Sequence, residues 1–441
     1  MLEGLRNAFK IKEIRNRIFY TFIILIIVRI GCQLPLPGTD ADVIKQIMGD
    51  FSVGAFSFFD ALTGSSFSNM SIFALNITPY ITSTIIMQLL TIAIPKLEEL
   101  QKEGEDGRKK IAKITRYLTV GLALVQSTAM SIGFGNQGMF GSKSSMSTTE
   151  YVWTLAVAVI TMTAGAAVIM WLGERITEKG IGNGISIILM VNIIDRMPTD
   201  LAGLINQFVK GASSVGGSAL AALIIIAVIV FVVLFVVYLQ GGQRKIPVQY
   251  AKRIAGRKTY GGQSSNIPLR VNTAGVIPII FASSLLQIPV IITSFTSTST
   301  PEWTRFFSTH YWCNPQYPIY SVGFILYIIL VIFFAYFYTS ITFNPMEVAD
   351  NMKKQGGFIP GIRPGKPTTE YLTRILNYVI FIGAVGLLIV AAVPIIFSGY
   401  FATSLSFGGT SLIIIVGVIL DTVKKVESMM VVRNYKGFLN D

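Results

Sequence analysis

Long apolar stretches separated by short polar segments recur along the whole chain. A membrane-spanning helix needs about 20 mostly apolar residues, and ten stretches reach or approach that length. The pattern predicts an all-α polytopic membrane protein, because a helix satisfies its own backbone hydrogen bonds within lipid. The ten predicted spans lie near residues 18–35, 70–95, 116–135, 152–172, 183–205, 218–239, 272–295, 319–342, 374–397 and 404–423.

The distribution of Lys and Arg supports all ten spans, including the fifth and tenth, which are strongly apolar only over 185–194 and 412–420. Of the 36 basic residues, 30 fall in alternate loops and in the two ends of the chain. Dropping either weak span would scramble this asymmetry, which predicts that both termini are cytoplasmic. Arg29 lies inside the first span, and the opposite loops hold only Lys45, Lys143, Arg196, Lys210 and Arg305.

Composition agrees with a membrane protein. Hydrophobic residues make up 52% of the chain and charged residues 13%, whereas soluble domains carry about 25% charged residues. The net charge of +13 does not indicate a nucleic-acid module, because the basic residues sit in short loops.

Cys32 and Cys313 support no disulfide framework or four-ligand zinc site, and whether they pair is open. Arg29 follows the first apolar run without a small-residue cleavage site, so we expect this span to stay in the membrane.

The segment 51–69 is apolar and aromatic but too short to cross a membrane. Such a length is typical of a re-entrant or interfacial segment on the outer side. An ordinary loop packed on the helix bundle would have the same composition, and the residues alone do not separate the two interpretations.

Two pairs of matching strings lie five spans apart and indicate an internal repeat. The string 77–88 in span two matches 276–287 in span seven, with Pro79 aligned to Pro278; GISIIL (184–189) matches GTSLII (409–414). Five spans in each half force the second half to enter the membrane from the opposite side. Inverted repeats place a substrate pathway at the interface of the halves, near Gly- or Pro-interrupted spans, although Gly, Ser and Pro there also permit close helix packing or kinks.

The central apolar stretches of spans two, five, seven and ten contain no ionisable residue. Coupled transporters normally carry Asp, Glu, His or Lys in such positions. Bulky aliphatic side chains occupy the matched positions instead, and a narrow path lined by them excludes water when closed. The pattern favours a gated pore over coupled transport. The matched aliphatic residues are Ile81, Leu189, Ile280 and Ile414.

Signals for enzymatic chemistry are weak. GIRPGKPT (361–368) departs from a phosphate-binding loop, because Pro360 replaces the first glycine and Pro367 the Ser or Thr that would meet magnesium. The glycines at 180, 182 and 184 lack the strand and spacing of a dinucleotide site and predict a tight turn into span five. The predicted cytoplasmic loops 240–271 and 343–373 combine basic and turn residues, which suits contact with an acidic partner or topology alone.

Six motifs, in order along almost the whole chain, resemble the SecY family of bacterial protein translocase subunits. The resemblance implies ten spans in two inverted halves around a pore, with a plug near 54–68. It divides the chain into a cytoplasmic segment 1–17, halves 18–205 and 206–423, and a cytoplasmic tail 424–441. The motifs are KEGEDGRKKI (102–111), MWLGERITEKGIGNGISI (170–187), QRKIPVQYAKR (243–253), VNTAGVIP (271–278), PGIRPGKPT (360–368) and GGTSL (408–412).

The resemblance also implies roles for particular residues. A lateral gate for signal sequences is expected near Thr82 and Ile288, between spans two and seven. Arg257, Lys258 and Arg363 are expected to contact a motor or the ribosome. A hydrophobic pore ring is expected from Ile77, Ile81, Ile185, Leu189, Ile280 and Ile414.

The function that follows is a passive channel for unfolded polypeptides across, and for membrane segments laterally into, the bacterial cytoplasmic membrane. No cofactor or metal is expected. The resemblance implies the small SecE and SecG subunits, the SecA motor ATPase, the ribosome and signal sequences as partners. The alternative function is a secondary transporter with inverted repeats, and a membrane-embedded enzyme comes third because no catalytic constellation is evident.

Overall fold

The fold is taken from a computed structural model of the chain. The structure describes residues 9–39, 44, 60, 62–136, 138–140, 147–206, 215–250, 253–255, 258–260, 264–296, 301–308, 311–401 and 409–437.

The described part of the first half contains five long helices and one short one. They are α1 (Lys12–Gln33), α2 (Thr78–Ala93), α3 (Pro95–Lys102), α4 (Glu105–Asn136), α5 (Thr148–Lys179) and α6 (Gly184–Leu204). Each long helix coincides with a predicted span. The chain bends by 102° between α2 and the short α3, where Pro95 occupies the first turn of α3, a position that tolerates the missing N–H of proline.

The second half repeats this arrangement, and its five longest described helices coincide with predicted spans six to ten. The helices are α7 (Val215–Gly241), α8 (Ile277–Thr296), α9 (Val322–Thr342), α10 (Pro345–Lys354), α11 (Lys366–Phe401) and α12 (Gly409–Gly437). Two short 3₁₀ helices, Glu302–Phe306 and Pro318–Ser321, lie between α8 and α9. The helices α11 and α12 extend beyond their predicted limits into polar sequence.

Five pairs of contacting helices in the first half have equivalents in the second half. In the first half α1 contacts α5 and α6, α2 contacts α4, α4 contacts α5, and α5 contacts α6. In the second half α7 contacts α11 and α12, α8 contacts α9, α9 contacts α11, and α11 contacts α12. The halves meet where α6 packs on α12 and α4 on α8. The repeat of five long helices read from the sequence is therefore present in the packing, and the predicted fold class is confirmed.

The long helices expose large apolar side chains. Ile160 and Leu223 are each 68% exposed and Phe231 is 64% exposed, which in water would be an aggregation hazard and in lipid is the ordinary state. By length and composition, Glu105–Gly135, Thr148–Lys179, Pro318–Lys354 and Lys366–Phe397 can cross a membrane, as can the bent pair α2 and α3 taken as one span. These surfaces make the chain a multi-pass membrane protein.

Helices α2 and α8 begin later than the hydropathy pattern predicts. The predicted spans start near residues 70 and 272, whereas the helices start at Thr78 and Ile277. Both have proline as their second residue, which favours the first helical turn. Turns occupy residues 64–77 apart from a single bridge residue, and the positive φ angles of Met70 (42°) and Asn76 (46°) are incompatible with a continuing helix.

The two long loops between the spans of the second half fold together. Strand β1 (Gln243–Tyr250) pairs antiparallel with β4 (Ser264–Arg270) and with β5 (Gly357–Phe358), so that Gln249 lies opposite Phe358. A separate hairpin joins β2 (Arg253–Ala255) and β3 (Lys258–Tyr260). The span pattern did not predict these strands, although an alternation of exposed and buried side chains is visible in β1.

This loop unit has its own hydrophobic core, formed where the sheet meets α10 and the start of α11. The core residues are Ile246, Val248, Leu269, Ala349, Met352, Ile359 and Leu372. Because strands and helices from both loops share this core, the loops form one folded unit at one end of the helix bundle.

Candidate functional site

The six residues predicted to form a ring come together in one hydrophobic cluster. Helix α2 and the residue before it supply Ile81 and Ile77, α6 supplies Ile185 and Leu189, α8 supplies Ile280 and α12 supplies Ile414. Ile77, Leu189, Ile280 and Ile414 are buried, with exposed fractions of 3%, 7%, 8% and 2%. Ile81 and Ile185 are partly buried and pack against the same cluster. Side chains of four helices from both halves therefore meet in one aliphatic cluster, which is the predicted constriction.

The start of α6 is fixed by local contacts that position Ile185. The Asn183 side-chain oxygen accepts hydrogen bonds from the N–H groups of Ile185 (3.2 Å) and Ser186 (3.4 Å), a helix cap. The Thr177 hydroxyl oxygen accepts from the Gly184 N–H at 2.9 Å. Because Gly184 has no side chain, α6 approaches α5 so closely that a Cβ atom would lie 2.0 Å from the Gly173 carbonyl oxygen.

A cavity of about 460 Å³ borders the constriction. Ile81, Ile185 and Ile280 line it together with polar residues, including Arg116 and Glu174. The Arg116 Nε donates to the Glu174 Oε1 at 2.7 Å. The aliphatic cluster therefore borders a cavity that is partly polar.

On another side the constriction contacts the segment 60–76, of which residue 61 lies outside the described residues. Leu62 and Phe73 belong to the same cluster as the ring. The Asn76 side-chain amide donates to the Thr63 carbonyl oxygen at 3.0 Å and closes the segment on itself. The predicted plug lies near 54–68. Its residues 60 and 62–68 belong to this segment, and residues 54–59 lie outside the described residues.

A charged contact holds the segment 60–76 to α6. The Asp60 carboxylate forms an ion pair with the Arg196 guanidinium, and it also accepts a hydrogen bond from the Ser68 N–H at 3.0 Å. The Asp60 and Arg196 side chains are only 10% and 19% exposed.

A second charged contact lies next to the first. Arg29 of α1 forms an ion pair with Asp195 of α6. The Arg29 Nη1 also donates, at 3.5 Å each, to the Gly64 carbonyl oxygen and to the Asn192 side-chain oxygen. Arg29 thus links α1, α6 and the segment 60–76.

The sequence reasoning missed both ion pairs. It identified Arg29 as a charge inside a span and Arg196 as one of the few basic residues on the outer side, but it named no partner for either. A basic residue that breaks the charge asymmetry of a membrane protein is itself a signal, because a charge in such a position needs a partner.

The two residues predicted for a lateral gate lie on α2 and α8. The Thr82 hydroxyl donates to the Thr78 carbonyl oxygen of its own helix at 3.0 Å, and Ile288 is 49% exposed. Both helices contribute to the wall of the cavity. Their role as a gate stays a prediction.

Of the three residues predicted to contact a motor or ribosome, Arg363 is the one whose side chain the structure describes. It is exposed in a turn between β5 and α11, and its carbonyl oxygen accepts from the Thr368 hydroxyl at 2.8 Å. Gly361 and Gly365 have φ angles of 83° and 108°, which favour glycine. Lys258 contributes its backbone to β3, and Arg257 lies outside the described residues.

Cys32 and Cys313 are both free thiols. Within the described ranges, no group of three or more His, Cys, Asp or Glu residues is placed to hold a metal ion.

Comparison with known proteins gives consistent matches. The sequence profile of the SecY family matches residues 71–423. The protein translocase subunit SecY of Streptomyces galbus is 44% identical over 446 residues, which cover 100% of both chains.

Solved structures share the fold at lower identity. A SecY channel, described for a plug domain that stabilises its closed state and maintains a membrane seal, superposes with a TM-score of 0.64 at 18% identity over 96% of each chain. Sec61 in the canine ribosome-channel complex superposes with a TM-score of 0.61 at 17% identity, also over 96% of each chain.

Proposed function

This chain belongs to the SecY family, and we propose that it is the protein-conducting subunit of a translocase in the bacterial cytoplasmic membrane. It moves unfolded polypeptides across the membrane and releases membrane segments laterally into it. The observation that supports this proposal is the convergence of six aliphatic side chains from four helices and both halves in one hydrophobic cluster.

The chemistry of the constriction suits a substrate without a fixed sequence. Aliphatic side chains exclude water when they touch, since wetting them costs roughly 25 cal/mol per Å² of apolar surface. They make no directional bonds, so they part around any side chain and close again behind it. Ile77, Ile81, Ile185, Leu189, Ile280 and Ile414 form this ring, and the plug near 54–68, whose second part belongs to the segment 60–76, acts with it.

Lateral release requires that α2 and α8 separate. Thr82 and Ile288 lie on these helices, and the cavity beside the ring is lined by both. A signal sequence enters between them and exposes its apolar face to lipid through the opening.

The loop unit at one end of the bundle binds the partner that drives translocation. Arg257, Lys258 and Arg363 lie in its two loops, and the exposed Arg363 is held on a turn shaped by two glycines. The channel itself is passive, so energy comes from a SecA-type motor ATPase or from the ribosome. The name of the canine relative pairs it with a ribosome. SecE and SecG are the expected small subunits, and both termini are cytoplasmic.

A secondary transporter with inverted repeats was the alternative prediction. Family membership does not favour it, and the ring lacks the ionisable groups that couple transport to an ion gradient.

Crosslinking of a stalled secretory chain tests the proposed function. Single cysteines at Ile81 and Ile280, in a chain without Cys32 and Cys313, should crosslink to a cysteine in the stalled polypeptide. A cysteine at Ile325, which is 57% exposed on α9, is the matched control and should not. Equal crosslinking at Ile81 and Ile325 would refute a path through the ring.

A further inference from the structure

Of the six basic residues that depart from the charge asymmetry of this chain, Arg29 and Arg196 contact the segment 60–76. Arg196 lies near the C-terminal end of α6, on the side that carries few basic residues, and Arg29 lies inside α1. In the structure Arg196 pairs with Asp60, and Arg29 donates to the Gly64 carbonyl oxygen. Positive charges are disfavoured on the outer side of the membrane and inside a span, so an interaction with the segment accounts for the positions of Arg196 and Arg29.

The two ion pairs use adjacent residues of α6, Asp195 and Arg196. Asp195 binds Arg29 of α1, and Arg196 binds Asp60 of the segment. The adjacent Asn192 is fully buried and accepts from Arg29 at 3.5 Å. One turn of α6 therefore joins α1 and the segment 60–76 through charges of both signs.

The segment also fits closely against α1 and α6. Gly64 has a φ of 62°, and a Cβ atom there would lie 2.8 Å from the Asn192 Cα. A Cβ atom at Gly31 would lie 2.0 Å from the Phe73 ring. This fit brings Asp60 to Arg196 with little water between them, as their low exposure indicates.

A desolvated ion pair is sensitive to water in a way that aliphatic contacts are not. Separating the charges in a dry environment leaves each buried charge without a partner, which strongly opposes the separation. In a hydrated pore, water solvates both charges and most of that opposition disappears. The pair therefore opposes spontaneous displacement of the segment and yields once a substrate has wetted the ring.

We propose that Asp60 and Arg196, supported by Arg29, form an electrostatic clamp that holds the segment 60–76 against the ring. The clamp thereby sets how effective a signal sequence must be to open the channel. This inference rests on the proposed function and assigns specificity-determining residues to it. The ring lets any unfolded chain pass, and the clamp determines which signal sequences open the channel and so start translocation.

The first test measures the position of the segment without any substrate. Ser66 is fully buried, so a Ser66→Cys variant, in a chain without Cys32 and Cys313, reports displacement through its reaction with a membrane-impermeant maleimide. In the intact translocase complex in vesicles, Asp60→Asn and Arg196→Gln should each raise the labelling rate on the order of tenfold. The charge exchange Asp60→Arg with Arg196→Asp should bring the rate back toward that of the parent. Glu302→Gln, at an exposed acid of the outer 3₁₀ helix, should leave it unchanged.

The second test measures export of a reporter whose signal sequence is defective. The two single variants should export it on the order of tenfold more than the parent, and the exchange should reduce that gain. Labelling of Ser66→Cys at the parental rate in both single variants would overturn the clamp. Faster labelling with unchanged export of the defective reporter would overturn its role in specificity. Because labelling needs no substrate, its outcome is independent of the crosslinking test for the channel itself.

Discussion

Ile81 and Ile280 occupy equivalent positions in helices from opposite halves of the chain. Each lies two residues after the proline at the second position of its helix. The Ile81 N–H donates to the Ile77 carbonyl oxygen at 3.0 Å, and the Ile280 N–H donates to the Val276 carbonyl oxygen at 3.2 Å. Both side chains reach the same hydrophobic cluster, so each half delivers an aliphatic residue to the ring from the first turn of a helix.

The close approach of α5 and α6 predicts the effect of a single methyl group. Gly184→Ala would place a Cβ atom 2.0 Å from the Gly173 carbonyl oxygen, which forces α6 outward and displaces Ile185. We expect a loss of about 1–3 kcal/mol, seen as a lower midpoint of thermal unfolding in detergent. Gly203→Ala is the control on the same helix, because a Cβ atom there meets nothing within 4 Å. A midpoint for Gly184→Ala equal to that for Gly203→Ala would show that the helices separate freely.

The charge asymmetry predicts on which side of the membrane each loop lies. Tyr317, 45% exposed before α9, should become reactive from outside when replaced by cysteine in a chain without Cys32 and Cys313. Glu370, exposed at the start of α11, should react only after the membrane is permeabilised when it is replaced in the same way. Labelling of intact cells with an impermeant maleimide is the measurement. Reaction at position 370 from outside would contradict the predicted orientation of the spans.

The turn that carries Arg363 predicts a defect in partner binding without a defect in folding. The side chain is exposed and its backbone is fixed by Thr368, so Arg363→Glu should leave insertion and thermal stability within about 0.5 kcal/mol of the parent. Motor-driven export in vesicles should fall strongly, because the reversed charge repels an acidic surface. Lys353→Glu, at an exposed position on α10 of the same loop unit, is the matched control. If both variants export normally, Arg363 acts only in topology.

The clustering of these aliphatic residues was predictable from the sequence, because it follows from local signals. Pro79 and Pro278 set the starts of their helices, and Gly184 and Gly409 are the first residues of α6 and α12. The helical rise then fixes where the aliphatic residues two or five positions later are placed. Repetition of these signals in the two halves indicated which positions correspond.

The ion pairs were not predictable in the same way, because they depend on contacts between distant parts of the chain. Nothing near Asp60 in the sequence indicates that Arg196 will lie beside it. The shared core of the two long loops of the second half was missed for the same reason: β5 is only two residues long, and its partner β1 precedes it by a whole helical hairpin.

The last prediction concerns the barrier at the ring. Each buried aliphatic side chain contributes about 1.5–3 kcal/mol by staying out of water. Replacing Ile81, Leu189, Ile280 and Ile414 together with serine should therefore lower the cost of wetting by more than the 1.4 kcal/mol that corresponds to a tenfold change. We expect resting ion conductance at least about tenfold above the parent in planar bilayers, with translocation retained.

The control for this variant must carry the same number of isoleucine or leucine to serine changes away from the ring. Ile23, Ile160, Ile325 and Ile329 are suitable, because they are 51%, 68%, 57% and 57% exposed on the outer faces of their helices. Serine at these positions disturbs lipid contacts and leaves the cluster at the constriction intact. Both variants should keep Asp60 and Arg196, so that the segment 60–76 stays held in each. The two variants then differ in the polarity of the constriction. Higher conductance of the ring variant alone assigns the barrier to these aliphatic side chains. Equal conductance of the two variants would mean that the aliphatic side chains serve only in packing.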